Sequence, residues 1–225
     1  MNHRGFFKFV LMIFFAITPL TAVASDFQGP FVEAGISGSK TKTDVDFPNW
    51  FQADIDDDSV NGKVAIGYDQ RFDRYVLGAK LYYTLGDQES GSTTQRFRDT
   101  EEVSTLSFKL DNSWGIELQP GIVFSEATFA YLSFGYARTT GEWTLDRPYY
   151  QDRYSGHVDF NGYSLGAGIK QKLLQNVTSH LYGFAEVQKI WYQQESTSAI
   201  IAGSSYVDDY DPEAVTITIG IGWQF

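Results

Sequence analysis

The chain has 225 residues, no cysteine, 16% aromatic residues and a formal net charge of -11 at pH 7. This acidity excludes nucleic acid as a natural partner, because binding to phosphate needs a basic patch. Without cysteine, an exported domain cannot rely on disulfides and needs another source of stability.

The first 24 residues have the pattern of a secretory signal. Arg4 and Lys8 form a basic start, an apolar run extends from Phe9 to Ala16, and Ala22 to Ala24 gives a small-x-small cleavage site. The apolar run is too short for a transmembrane anchor, which needs about 20 apolar residues. We therefore predict a cleaved signal peptide followed by one mature domain over residues 25–225.

Eight segments alternate apolar and polar side chains with the period of two that a β-strand requires. One face of these segments is largely apolar, and the other carries glycines, hydroxyls and charges, as expected for a barrel with lipid outside and a narrow polar lumen inside. In chain order the predicted strands run from Pro30 to Ser39, Val60 to Gln70, Tyr75 to Leu85, Ser107 to Phe124, Ala127 to Arg138, Phe160 to Lys172, Val177 to Tyr192 and Ala214 to Phe225.

The last strand shows the alternation most clearly, and the seventh shows it least. Every odd position from Val215 to Phe225 is apolar, and every even position from Thr216 to Gln224 is small or polar. In the seventh strand two apolar phases compete, so we place Glu186 and Gln188 inward because a carboxylate that faces lipid is costly.

The connections alternate between short and long, which is typical of outer-membrane barrels whose long loops lie outside the cell. The pattern predicts an all-β, eight-stranded antiparallel transmembrane β-barrel with short periplasmic turns and four long extracellular loops. The alternative is a soluble lipocalin-like barrel or sandwich, whose apolar face would point inward. The long connections are Lys40 to Ser59, Gly86 to Glu102, Thr139 to Asp159 and Gln193 to Glu213.

The segment Leu110 to Arg138 contains Asn-Ser-Trp-Gly from Asn112, then Pro120-Gly121 and later Gly135-Tyr136. With the closing Gly-Trp-Gln-Phe, this pattern resembles small outer-membrane β-barrels of the OmpA-like transmembrane and opacity-protein, porin-like group. The resemblance implies a location in the outer membrane of a Gram-negative bacterium. It also implies that the C-terminal strand, through Trp223 and Phe225, is an assembly signal for the barrel-assembly machinery.

The inward faces of the predicted strands collect charges of both signs. Such charges are costly in a narrow barrel unless they are paired, so we predict an internal ion-pair network that plugs the lumen. The alternative is a narrow gated conduit, since an eight-stranded barrel is just wide enough for its own side chains. The predicted network residues are Glu33, Lys63, Lys80, Lys109, Glu117, Lys170 and Glu186.

The predicted extracellular loops are acidic and contain aromatic residues. Their carboxylates could form a solvated surface or bind lipopolysaccharide through divalent cations, and their aromatic residues could contact a host or surface protein. The Asp54 to Asp58 stretch lacks the glycine and the terminal glutamate of an EF-hand loop, so we predict no dedicated metal or cofactor site. The candidate contact residues are Trp50, Phe51, Asp56, Tyr149, Tyr150 and Tyr206.

Catalysis has little support in the sequence. Some eight-stranded outer-membrane barrels modify lipid A with serine, histidine and an acid, and here only His157 has Ser155 and Asp159 nearby. We therefore predict no catalytic residue and a structural, surface-interacting role of the adhesin or opacity type for a monomer embedded in outer-membrane lipid and lipopolysaccharide.

Overall fold

The structure, a computed structural model, describes residues 27–47, 51–86, 88–96, 103–125, 127–148, 151–173, 180–201 and 204–225. The predicted signal peptide lies outside these residues. In the described part of the chain, no helix has the length and apolar character needed to cross a membrane.

Eleven strand segments form one antiparallel sheet. They are β1 Gly29–Phe47, β2 Phe51–Phe72, β3 Tyr75–Leu85, β4 Gln88–Arg96, β5 Val103–Leu110, β6 Trp114–Ser125, β7 Thr128–Arg147, β8 Asp152–Lys172, β9 Leu181–Tyr192, β10 Glu195–Ile201 and β11 Ser204–Gln224.

Three pairs of these segments are consecutive parts of one long strand. β3 pairs with β6 while β4 pairs with β5, and both β5 and β6 pair with β7. Likewise β9 and β10 both pair with β11. The eleven segments therefore make eight strands, and the ring β1-β2-β3-β6-β7-β8-β9-β11 closes because β1 pairs with β11 and β7 pairs with β8. The predicted eight-stranded antiparallel barrel is confirmed.

The barrel carries its apolar side chains outside and its polar side chains inside. Strict alternation of exposed and buried residues along β3 leaves Leu77 and Leu81 on the exterior and Lys80 in the lumen. The exposed fraction is 62% for Ile219 on β11 but only 1% for Lys80 on β3. This arrangement is the reverse of a water-soluble barrel and requires lipid around the exterior.

Aromatic side chains bound this apolar belt at both ends. Tyr83 lies opposite Trp114, and Tyr163 lies opposite Trp191, at the end that leads to the long connections. Tyr75 lies near the other end, eight residues before Tyr83 on β3. With a rise of about 3.4 Å per residue and a tilt of about 40°, that separation spans roughly 20 Å of the bilayer.

The four long connections continue the strands beyond the belt as β-hairpins. β1 extends to Phe47 and β2 begins at Phe51, although the alternating pattern ends near Ser39 and begins near Val60. Outside the bilayer neither face of a strand has to be apolar, so the sequence period disappears while the backbone pairing persists. Within the described residues, the predicted extracellular loops are therefore largely strand.

Beyond the belt, the ring continues as two four-stranded ladders that lie next to each other but are not hydrogen-bonded together among the described residues. Pairing between β2 and β3 covers only Gly62 to Phe72 of β2, and pairing between β8 and β9 covers only Gly162 to Lys172 of β8. Among the described residues, no ladder joins β2 to β4 or β8 to β10. The extracellular ends are thus β4-β5-β7-β8 on one side and β10-β11-β1-β2 on the other.

Replacing Leu118 with arginine tests the membrane position of the belt. Leu118 is exposed and lies opposite Ala79, midway along β3. The Leu118→Arg variant should lose about 2–4 kcal/mol of unfolding free energy in lipid vesicles, because arginine is costly at the bilayer midplane. Val60→Arg, beyond the aromatic residues, is the matched control and should lose about 0–1 kcal/mol. Equal losses in urea unfolding of the two variants would contradict this placement.

Candidate functional site

The centre of the lumen is occupied by Lys80. Its Nζ atom lies 2.8 Å from Glu186 Oε2, 3.1 Å from Glu117 Oε2 and 3.9 Å from Glu33 Oε2. Gln188 donates a hydrogen bond of 2.7 Å to the other oxygen of Glu117. Three other strands of the ring, β1, β6 and β9, therefore each direct a carboxylate to the ammonium group that β3 carries.

Two further lysines extend this network. Lys63 Nζ lies 3.0 Å from Glu186 Oε1. Lys170 Nζ lies 3.3 Å from Glu33 Oε1 and 3.2 Å from Asp69 Oδ2. The three lysines share carboxylates, so the charges form one connected system rather than isolated pairs.

Two tyrosine hydroxyls supply additional donors to the carboxylates. Tyr131 donates to Glu186 Oε2 and Tyr182 donates to Glu33 Oε1, each at 2.9 Å. Hydrogen bonds to ionised acceptors are stronger than those between neutral groups. These tyrosines help to offset the cost of removing the glutamates from water.

The structure places six of the seven predicted lumen charges in this network, and Lys109 is the exception. Phe108 and Leu110 are buried on β5, whereas the Lys109 side chain is 34% exposed and lies 3.4 Å from Asp111. Leu110 and Ser113 both face inward although they are three residues apart. The irregular residues 111–113 therefore shift the alternation between β5 and β6, and the assumption of one continuous strand gave Lys109 the wrong face.

The sequence reasoning also left three members out of the network. Asp69 shares the inward face of β2 with Lys63, and Tyr131 lies between the outward Ala130 and Leu132. The alternation of inward and outward side chains was sufficient to place both Asp69 and Tyr131 in the lumen. Tyr182 shares the inward face of β9 with Glu186, so the placement of Glu186 in the lumen was sufficient to include Tyr182 as well.

The extracellular half of the lumen contains an apolar cluster. Inward hydroxyl groups of β1 and β11 line one side of the lumen. Ser37 and Thr218 hydrogen-bond at 2.8 Å, and Ser39 and Thr216 hydrogen-bond at 3.2 Å. The apolar cluster consists of Phe108, Leu110, Ala137, Trp143, Phe160, Ile190, Tyr192 and Ala214. Among the described residues, the ionic layer thus lies between this apolar cluster and a second one toward the short turns, formed by Phe27, Val76, Phe129 and Tyr131.

The ionic layer has unequal numbers of buried acids and bases. Among the described residues it contains the three lysines, Lys63, Lys80 and Lys170, and four carboxylates, three of them glutamates and the fourth Asp69. The Oδ1 atom of Asp69 is buried without a hydrogen-bond partner. Asp69 is therefore the carboxylate whose burial is least offset by ion pairs and hydrogen bonds. We expect the network to tolerate the loss of its charge better than the loss of a glutamate.

Ion pairs at the extracellular rim are exposed instead. Arg138 and Thr140 donate to the two oxygens of Asp159 at 2.7 and 2.8 Å. The Thr140 hydroxyl and the Arg138 guanidinium hold the pKa of Asp159 below its usual value. Asp159 thus bonds to two residues of β7, and among the described residues no ion pair joins it to His157 on its own strand.

The predicted surface contacts fall in or beside the extracellular hairpins. Phe51 and Asp56 belong to β2, opposite Phe47 and Lys42, and Tyr206 belongs to β11. These positions are in strands, not in loops. Trp50, Tyr149 and Tyr150 lie outside the described residues. In the described part of the chain, no group of three or more histidine, aspartate and glutamate side chains is arranged to hold a metal ion.

The two residues of the predicted assembly signal lie at the opposite end of the barrel. The rings of Trp223 and His180 stack with centroids 5.6 Å apart. The backbone N–H of Phe225 donates to the carbonyl of Pro30 at 2.8 Å, and its side chain is exposed on the barrel exterior. Both residues therefore border the closure between β1 and β11.

No protein-family model matches the chain, and no curated protein matches it. Among solved structures, OprG from Pseudomonas aeruginosa is similar with 14% identity, a TM-score of 0.60, and coverage of 91% of this chain and 99% of OprG. The outer membrane protease OmpT from Escherichia coli is similar with 11% identity, a TM-score of 0.50, and coverage of 91% and 99%.

Ail of Yersinia pestis is similar at a TM-score of 0.41, with 13% identity and coverage of 86% of this chain and 98% of Ail. At these identities the likeness shows the fold alone. The predicted resemblance to small outer-membrane barrels is confirmed at that level, and the lipid-facing exterior agrees with it. The chain has the fold of an outer-membrane β-barrel.

Replacing Lys80 with methionine tests the ionic layer. The Lys80→Met variant leaves Glu33, Glu117 and Glu186 facing one another and should lose about 3–5 kcal/mol of unfolding free energy. Lys189→Met removes the exposed pair with Glu213, whose charged atoms are 2.7 Å apart, and should cost about 0–1 kcal/mol. Urea unfolding followed by tryptophan fluorescence measures both, and a Lys80 variant as stable as the Lys189 variant would contradict the network.

A second pair of variants tests the excess carboxylate. Asp69→Asn leaves three lysines with three carboxylates and should change the unfolding free energy by no more than about 1 kcal/mol. Glu186→Gln removes a partner from both Lys63 and Lys80 and should cost about 3 kcal/mol or more. If Asp69→Asn lowers the unfolding free energy more than Glu186→Gln does in the same assay, the assignment of Asp69 as the excess carboxylate is wrong.

Proposed function

We propose that this barrel is a closed scaffold in the outer membrane whose work is done by its extracellular hairpins, in a structural and surface-interacting role of the adhesin or opacity type. The observation that carries the proposal is the filled lumen. Because an ionic layer and two apolar clusters occupy it, the surfaces left for function are the exterior and the hairpins.

The hairpins present a concentrated negative charge. The register places Asp44 opposite Asp54 on β2 and opposite Asp211 on β11. Like charges directly opposite one another are destabilising. A basic protein surface, or divalent cations shared with lipopolysaccharide phosphates, would offset that repulsion, and we propose both as partners of this surface.

The remaining partners follow from the position in the membrane. We propose lipid and lipopolysaccharide around the belt, recognition of Trp223 and Phe225 by the barrel-assembly machinery, and a monomeric state. We propose no enzymatic role, because Asp159 is bonded to Arg138 and Thr140 and is not directed to a histidine.

The second candidate function is a narrow gated conduit through the charged lumen. The polar lining favours it, since buried lysines and glutamates can change partners. The buried Lys80 and the apolar cluster argue against a conduit. Together their side chains fill the interior, which in an eight-stranded barrel is just wide enough for them.

Conductance separates the two candidates. The purified protein in planar bilayers should give no steady current, because the ionic layer and the apolar clusters block the lumen. The Lys80→Met variant should raise the frequency of current bursts if its unpaired glutamates loosen the ionic layer. A stable open state of the unmodified protein would contradict the scaffold and favour the conduit.

Shortened hairpins test the surface role. Replacing residues 44–54 by Asn-Gly joins Thr43 to Ile55, which are register partners, through a two-residue turn suited to a hairpin. Cells producing this variant should lose adhesion to cultured host cells and matrix-coated surfaces. The matched control replaces residues 95–104 and joins Thr94 to Thr105, register partners in another hairpin, which leaves residues 44–54 and β8 unchanged. Unchanged adhesion in both variants would contradict the proposal.

A further inference from the structure

One edge of β8 is left open where the ring continues as two ladders beyond the bilayer. β8 pairs with β7 over its whole length, from Asp152 to Lys172, but its pairing with β9 ends at Gly162. The chain then continues as β10, which pairs with β11 and, among the described residues, has no ladder with β8. A seam, which β10 approaches without pairing, therefore runs along β8 on the side away from β7.

The backbone groups that face this seam can be assigned. Gln193 donates its N–H to the carbonyl of Asn161 at 2.7 Å, so the main-chain groups of Asn161 point to the seam side. In an antiparallel strand alternate residues present both backbone groups to the same edge. The N–H and C=O groups of Asp159, His157, Ser155 and Arg153 therefore point into the seam, and none has a main-chain partner there within the described ranges.

The edge lacks most of the features that usually protect an exposed strand. Natural edges are blunted by proline, by charged side chains, especially lysine, or by a bulge, and here only the charged Asp152, Arg153 and Asp159 are present. Residues 152–161 contain neither proline nor lysine, and the register with β7 runs without a shift from Thr128 to Arg147. This edge is thus a straight, regular template.

The inner side of the seam is apolar. Tyr154 and Val158 are half-buried and pack against the apolar cluster of the lumen, as does Leu145 of β7. Ser155 and His157 direct their side chains to the exposed outer face. A strand lying beside β8 would place every second side chain on the apolar cluster and the others in water.

We propose that the seam beside β8 takes an extended segment of another protein by β-strand addition, with apolar residues at alternate positions. Backbone hydrogen bonds to residues 153–159 provide affinity, and the apolar cluster selects the alternating side chains. This inference rests on the proposed surface role and names the surface and the kind of partner.

The test uses the purified barrel in lipid nanodiscs and a fluorescent seven-residue peptide that alternates valine and threonine. Fluorescence anisotropy should show saturable binding. The same peptide with alternate amides N-methylated keeps its side chains but cannot pair along one edge, and it should not bind. Equal binding of both peptides, or binding of neither, would overturn the proposal.

Two variants locate the site. His157→Pro removes a seam-facing N–H without touching the ladder to β7, and edge strands tolerate proline at such positions. It should weaken binding about tenfold or more, whereas His157→Ala keeps the N–H and should bind as the unmodified protein does. Circular dichroism checks that both variants are folded. Equal affinity of the proline and alanine variants would overturn the assignment to β8.

The outcomes also separate this inference from the proposed function. If the 44–54 replacement abolishes adhesion but His157→Pro affects neither peptide binding nor adhesion, the seam proposal fails and the surface role stands. If the barrel forms dimers that His157→Pro dissociates, the occupant is a second copy of the chain, and the proposed foreign strand is wrong.

Discussion

A strand inside a bilayer must satisfy every backbone N–H and C=O group within the protein, and the pairing of β1 with β11 meets that requirement here. Closure with eight strands also fixes the width of the lumen, which is just large enough for side chains. With apolar residues directed to lipid, the polar ones have to fill this narrow space. The ion pairs around Lys80 follow from closure, because charges confined there are tolerable only when they are paired and hydrogen-bonded.

Beyond the bilayer the same constraint no longer applies. Water can bond to an open strand edge, and the ring continues as two four-stranded ladders without exposing backbone groups to lipid. The apolar cluster lies under these ladders and holds them as a folded extension of the barrel. Within the described residues, the hairpins are thus strands that present charges, edges and half-buried apolar residues at defined positions.

The extent to which the sequence predicts this structure depends on the alternation of side chains. It is unbroken in β3 and in the last part of β11, so the barrel, its exterior and the position of Lys80 could be predicted. Glu186 lies in a strand with two competing phases, and its inward position was predicted from the cost of a carboxylate that faces lipid. The alternation fails at Lys109 because the irregular residues before β6 shift the phase by one position. It also fails for the hairpins, where polar residues occupy both faces. The closeness of Asp69 to Lys170 depends on the register of strands distant in sequence, which no local pattern contains.

The closed barrel is the central claim, and its electrophoretic mobility in SDS tests it most directly. A closed sheet with every membrane strand paired resists SDS until it is heated, so the unboiled protein from the outer-membrane fraction should migrate differently from the boiled protein. Identical mobility before and after boiling, with the protein recovered in the soluble periplasmic fraction, would contradict closure. It would mean that the apolar faces point inward in a water-soluble sheet.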